Sequence, residues 1–167
     1  MTIQEFNDLP LQQLKNEFFK CCGSSSWVEK MIASKPFSDL EDLMMKADRA
    51  WTSTNEIDLI ESFSHHPKIG DLKSLEKKFA STKALAGSEQ AAVQSASQTT
   101  IEQLAEGNML YENKFGFIFI VCATGKSADE MLSLLKKRIN NDRSTELKIA
   151  AGEQQKIIQL RIQKLFS

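Results

Sequence analysis

Apolar residues recur three and four positions apart along most of the chain, the period of helices that each bury one face. Leu11, Leu14 and Phe18 form one such stripe, and Leu40, Leu43, Met44 and Ala47 form a second. Met131, Leu134, Leu135, Arg138 and Ile139 form a third. Ala150, Ile157, Leu160, Ile162 and Leu165 mark a long closing helix from about Ser144 onward. Polar residues punctuate these stripes where helices should begin. Thr2-x-x-Glu5, Ser38-x-x-Glu41, Ser53-x-x-Glu56 and Ser127-x-x-Glu130 each fit the capping box, in which hydroxyl and carboxylate satisfy orphan amides reciprocally. Gly23 followed by Ser24, Ser25 and Ser26 reads as a helix stop and then a new cap.

Two stretches depart from the simple stripe. Between Glu89 and Leu110 the chain is rich in Ala, Gln and Ser and has no proline, which predicts a helix with Ala92, Ala96 and Leu104 on one face. From Phe115 to Ala123 the chain is aromatic and β-branched, interrupted only by Gly116. One extended stretch cannot build a sheet alone, so it reads as a buried connection. The expected fold class is all-α: a single compact multi-helix domain over residues 1–167, with one buried extended connection near residues 115–123. No repeat and no linker composition divides it.

Composition narrows the partners. The chain has 167 residues, 41% of them hydrophobic and 26% charged, as in globular domains. With 21 basic and 22 acidic residues the formal net charge is −1, which offers neither nucleic acid nor a membrane surface a basic face. No apolar run approaches the roughly 20 residues that span a bilayer. The start, Met1-Thr2-Ile3-Gln4-Glu5, lacks the basic-then-apolar pattern of a secretory leader, and Leu165-Phe166-Ser167 is not the Ser-Lys-Leu address. The expected compartment is the cytoplasm. Cys21, Cys22 and Cys122 then read as reduced, mostly buried thiols.

The most unusual segment for chemistry is Ser64-His65-His66-Pro67-Lys68-Ile69-Gly70-Asp71, which holds both histidines of the protein. Proline disfavours helical geometry in the residue before it, so His66 is pushed to an extended conformation from which it can project across a cavity. The plainer alternative is a helix terminator carrying two exposed histidines. A metal site fits poorly, because adjacent histidines do not both face one ion and there is no His-x-x-x-His or Cys-x-x-Cys pair. Thr124-Gly125-Lys126-Ser127 looks like the end of a phosphate-binding loop. The glycine that such a loop needs five residues earlier is Ile120 here, so the cap at Ser127 explains the segment better.

Taken together, His66-Pro67-Lys68-Ile69-Gly70, then Glu89-Gln90, then Asn108-x-x-Tyr111-x-x-Lys114-Phe115-Gly116-Phe117-x-Phe119-Ile120 resemble the signature of the OHCU decarboxylases. Their substrate is 2-oxo-4-hydroxy-4-carboxy-5-ureidoimidazoline. The resemblance runs from Phe6-Asn7 to Ile158-x-x-Leu160-Arg161, essentially the whole chain. It implies an all-helical homodimer that acts on a small molecule in the last step from urate toward (S)-allantoin, with neither metal nor organic cofactor. The family's proton donor falls on His66, and its Glu-Gln pair on Glu89 and Gln90. The resemblance places substrate contacts at Pro67 and at Ala86, Gly87 and Ser88. The backbone segment that holds substrate falls on Phe119, Ile120, Val121, Cys122 and Ala123, and a C-terminal substrate arginine on Arg161. One position departs from the pattern: Ala86 stands where the family commonly has a serine, with Ser88 directly before Glu89. That hydroxyl's bond to substrate is then missing or supplied differently. Two rival readings are a helical binding module without catalysis and a different small-molecule lyase on the same scaffold. Convergence of His66, Glu89 and Arg161 on one pocket would separate them.

Overall fold

The computed structural model describes residues 1–66 and 97–167. Every regular element among the described residues is a helix: α1 (Ile3–Asn7), α2 (Leu11–Cys21), α3 (Ser25–Ala33), α4 (Leu40–Thr52), α5 (Glu56–Ser64), α6 (Gln98–Phe115), α7 (Ala128–Arg138) and α8 (Arg143–Leu165). None of them is long and apolar enough to cross a membrane. The described residues fall into two units. One comprises Met1–His66 with Ala151–Ser167, and the other holds residues 97–150.

In the first unit α3 packs against α2, α4 and α5. Phe6, Leu14, Phe18, Trp27, Met31, Leu43 and Ala47 are fully buried, joined by Ile158 and Ile162 of α8. The rings meet edge to face, Phe6 on Phe18 at 5.4 Å between centroids and Phe18 on Trp27 at 5.7 Å, the arrangement their quadrupoles favour. Each buried tryptophan keeps a partner for its N–H. Trp27 donates to the Ala47 carbonyl at 3.1 Å and Trp51 to the Ala151 carbonyl at 3.0 Å.

In the second unit α6 packs on α7. Helix α6 buries Ile101, Leu104, Asn108, Tyr111 and Phe115, the i, i+3, i+7 spacing of a single face. It ends at Gly116, whose φ of 78° is left-handed and suits a residue without a β-carbon. Residues 117–127 then run without helix to α7, with Phe117, Phe119, Ile120, Val121 and Cys122 buried. This is the expected buried connection. Phe115 itself still belongs to α6.

Helix starts match the capping pattern at Thr2 and Ser127, where both halves of the box form. Two others move. Helix α4 is capped by Asp39, not Ser38, and α5 by Asn55 with Asp58, not by Ser53 with Glu56. In both cases a carboxylate or amide oxygen lies closer to the first apolar turn than the serine does, and it accepts the N3 amide as well as a hydroxyl would. Ser24 caps α3 as expected after the stop at Gly23. The buried face of α8 also differs from the expected stripe. It runs Glu146, Ala150, Gln154, Ile158, Ile162, while Ile157 and Leu160 are only half-buried. Two polar residues on that face hide it from a reading of apolar spacing.

Candidate active site

The end of α5 shows how the sequence sorts its two histidines. His65 is the C-cap of α5, and its ring lies edge-on to Phe19 at 5.8 Å. The loop between α2 and α3 closes over this end. Cys22 Sγ is 3.5 Å from Ser62 Oγ, and Ser25 gives its amide and hydroxyl to Glu61 at 3.0 and 2.6 Å. Gly23 lies so close that a β-carbon there would come within 2.5 Å of His65 Cβ. His65 is therefore a packing residue.

His66 is the histidine that projects. Its amide donates to the Phe63 carbonyl at 3.1 Å, closing the helix, and its half-buried ring reaches α8. There Nε2 meets Gln154 Oε1 at 2.5 Å. Gln154 is fully buried, and its own Nε2 has no hydrogen-bond partner among the described residues. Arg161 follows Gln154 by seven residues on α8, which places both on one face about 10 Å apart along the axis. Its Nη1 donates to the carbonyls of Lys20 and Cys21 at 3.1 and 3.3 Å, at the C-terminal end of α2 where unpaired carbonyls attract a cation. His66 and Arg161 thus address the same unit through one helix.

The neighbouring thiols are not nucleophiles. Burial pushes Cys21 up to about 12 and Cys22 up to about 11, against which the Arg161 charge is a smaller, opposing influence. Both remain thiols at neutral pH.

Residues 119–123 belong to the second unit, where a buried polar network fixes them. Arg138 donates from Nε to Glu146 at 2.6 Å and from Nη1 to the Ile120 carbonyl at 2.7 Å, and its guanidinium lies 4.5 Å from the Phe119 ring centre. Tyr111 gives its hydroxyl to Glu146 at 2.5 Å and Asn141 its amide at 2.9 Å. Burial, reinforced by that bond to Glu146, raises the Tyr111 phenol far above its ordinary value. The Cys122 carbonyl accepts from Lys126 Nζ at 2.8 Å. In a trans peptide the N–H of the next residue points opposite to the carbonyl. Pinning the carbonyls of Ile120 and Cys122 therefore aims the amides of Val121 and Ala123 away from Arg138 and Lys126.

Of the residues expected from sequence, Pro67, Ala86, Gly87, Ser88, Glu89 and Gln90 lie outside the described residues. Two residues that organise the others were missed: Arg138, read as part of an apolar stripe, and Gln154. The signal for Gln154 is its place at i+4 from Ala150 and i−4 from Ile158, a polar residue on a buried face.

Comparison with known proteins identifies the family. Residues 7–163 fit the family model described as OHCU decarboxylase. The chain is 40% identical over 153 residues to a uric acid degradation bifunctional protein of Arabidopsis thaliana, covering 92% of this chain and 47% of that protein. It thus spans about half the length of that relative. It is 26% identical to the 2-oxo-4-hydroxy-4-carboxy-5-ureidoimidazoline decarboxylase of Haloferax volcanii, over 100% of this chain and 97% of that one. A crystal structure of OHCU decarboxylase in the presence of (S)-allantoin superposes with a TM-score of 0.75 at 39% identity, covering 90% of this chain and 97% of the other. The chain belongs to the OHCU decarboxylase family.

Proposed function

We propose that this protein decarboxylates 2-oxo-4-hydroxy-4-carboxy-5-ureidoimidazoline to (S)-allantoin in urate degradation, with His66 as the proton donor. The observation that carries the reading is the close match in fold and sequence to an OHCU decarboxylase structure, combined with a histidine projected from the end of α5.

Loss of carbon dioxide breaks the bond between the carboxyl group and the ring carbon and leaves an electron pair on that carbon. The adjacent C5=N imine, conjugated with the C2 carbonyl, takes up the pair as an enolate-like anion, so the substrate carries its own electron sink. Protonation at the ureido-bearing C5 and loss of the C4 hydroxyl proton then give the C4 carbonyl of allantoin. The protein's part is to stabilise that anion and return one proton to one face. His66 supplies the proton, imidazole being the side chain best able to give and regain one near neutral pH. The amides of Val121 and Ala123, aimed by their pinned neighbours, serve as donors to the developing oxyanion within the segment Phe119–Ala123. Arg161 spends Nη1 on α2, and its Nε and Nη2 donors are assigned to the substrate's carboxylate or ureido oxygen. Glu89 bonds the substrate hydroxyl or orients His66, while Pro67, Ala86, Gly87, Ser88 and Gln90 complete the binding surface. The working form is a homodimer in the cytoplasm, as the family resemblance implies. Sedimentation of the pure protein checks its subunit number.

The test of roles is replacement. His66→Asn should lower kcat by roughly 100- to 10,000-fold in a folded protein. Near-normal turnover in that variant would remove His66 from the chemistry. Glu89→Gln keeps shape and removes charge, and turnover matching wild type would make its carboxylate structural.

A further inference from the structure

The buried face of α8 in the first unit runs Gln154, Ile158, Ile162, with Ala150 one turn earlier on the same helix. At 0% exposure an apolar residue would fit position 154 without loss, whereas glutamine brings two polar groups that must each be matched. Only one is. Its Oε1 meets His66 Nε2, and its own Nε2 has no partner among the described residues. A polar side chain kept at such a place, half satisfied and bonded to the one projecting histidine, is most simply explained by what it does to that histidine.

We propose that Gln154 is a positioning residue for His66, and this rests on His66 being the proton donor. A carbonyl oxygen can only accept, so the bond requires hydrogen on His66 Nε2. It can be made by the neutral ring and by the cationic ring alike. The ring therefore keeps one orientation as it gives up its proton and regains it. A carboxylate at the same place would hold the ring too, but its charge would favour the cation and oppose release of the proton. Glutamine orients without holding the proton back. Its spacing from Arg161, two turns along the same face, fixes the distance between proton donor and guanidinium by helix geometry.

The test combines spectroscopy, turnover and stability. With only two histidines in the chain, His65→Gln assigns the imidazole signals of the 15N-labelled protein. Wild type should show a slowly exchanging His66 Nε2–H signal, and its absence from wild type would overturn the bond itself. Gln154→Leu should lose that signal and lower kcat 10-fold or more with KM little changed, while Tm does not fall, because the unmatched buried amide goes with it. Gln154→Met serves if the leucine variant lacks a cooperative transition. Gln154→Glu should keep the signal yet turn over more slowly than wild type. Wild-type kcat in folded Gln154→Leu, or a loss confined to Tm, would overturn the proposal while leaving the decarboxylase reading intact. If wild type itself has no decarboxylase activity, that reading fails, and the spectrum still decides whether Gln154 holds His66.

Discussion

Arg138 donates to the carbonyl of Ile120 at 2.7 Å while its Nε donates to Glu146 at 2.6 Å, so one buried cation joins α7, the connection after α6 and the first turn of α8. Glu146 is fully buried and Arg138 nearly so. Such a pair is costly to bury, and its value lies in geometry that no apolar substitute would reproduce. Here that geometry is the orientation of one peptide in the segment assigned to substrate.

Arg138→Met should therefore cost about 3–5 kcal/mol in urea unfolding, because Glu146 is left charged or forced neutral in the core. Arg138→Met with Glu146→Leu should recover part of that stability, since the uncompensated charge is gone but the buried Tyr111 hydroxyl loses its acceptor. Turnover should stay low in the double variant, because the Ile120 carbonyl is no longer held. Recovery of both together would mean that the network only stabilises the fold.

Gly23 tests the clasp at the end of α5. Gly23→Ala places a β-carbon 2.5 Å from His65 Cβ, a contact that backbone must move to relieve. Overpacking of this kind costs roughly 1–3 kcal/mol, read as a lower Tm. Because His66 is the next residue, kcat should fall as well. A variant with lower Tm and unchanged kcat would show that the clasp does not position His66.

The buried thiols set an alkaline limit. Cys21 and Cys22 are raised to about 12 and about 11, above the ordinary thiol near 9.0 that the unfolded chain presents. Between those values the unfolded state binds fewer protons than the folded one, so stability is fully present below pH 9 and declines as pH rises toward 11 and 12. Cys22→Ala should flatten the alkaline part of that profile. At neutral pH, turnover should survive Cys22→Ala.

The displaced cap of α4 is tested by a pair of variants. Asp39→Ala removes the side chain that accepts the Asp42 amide at 2.8 Å and should cost about 0.5–2 kcal/mol. Ser38→Ala should be nearly silent, because the exposed Ser38 hydroxyl donates to the carboxylates of Asp39, at 3.4 Å, and Asp42, both of which keep other partners. Equal losses would restore Ser38 as the cap.

These cases show what could be read from residue order and what could not. The boxes at Thr2 and Ser127, the stop at Gly23 and the buried run through Phe119 and Val121 were legible because each depends on neighbours three or four residues away. Asp39 and Asn55 were missed because two cap-forming residues stood side by side or nearly so, and the choice between them is made by how the chain enters the helix. Arg138 reads from sequence only as one position of an apolar stripe. Its partners Tyr111, Ile120 and Glu146 are 27, 18 and 8 residues distant, beyond any local pattern. Gln154 meets His66 across 88 residues, so neither position announces the other. Which of two adjacent histidines projects was suggested by Pro67, and the packing of His65 against Gly23 supplies the other half of the answer.

The measurement that reaches the central claim most directly forms the unstable ureidoimidazoline in place from urate, with the two preceding activities, and follows circular dichroism as the protein is added. The account predicts a fast rise of optically active (S)-allantoin with wild type and a rise no faster than the uncatalysed background with His66→Asn. Slow, racemic allantoin in the presence of the wild-type protein would contradict it.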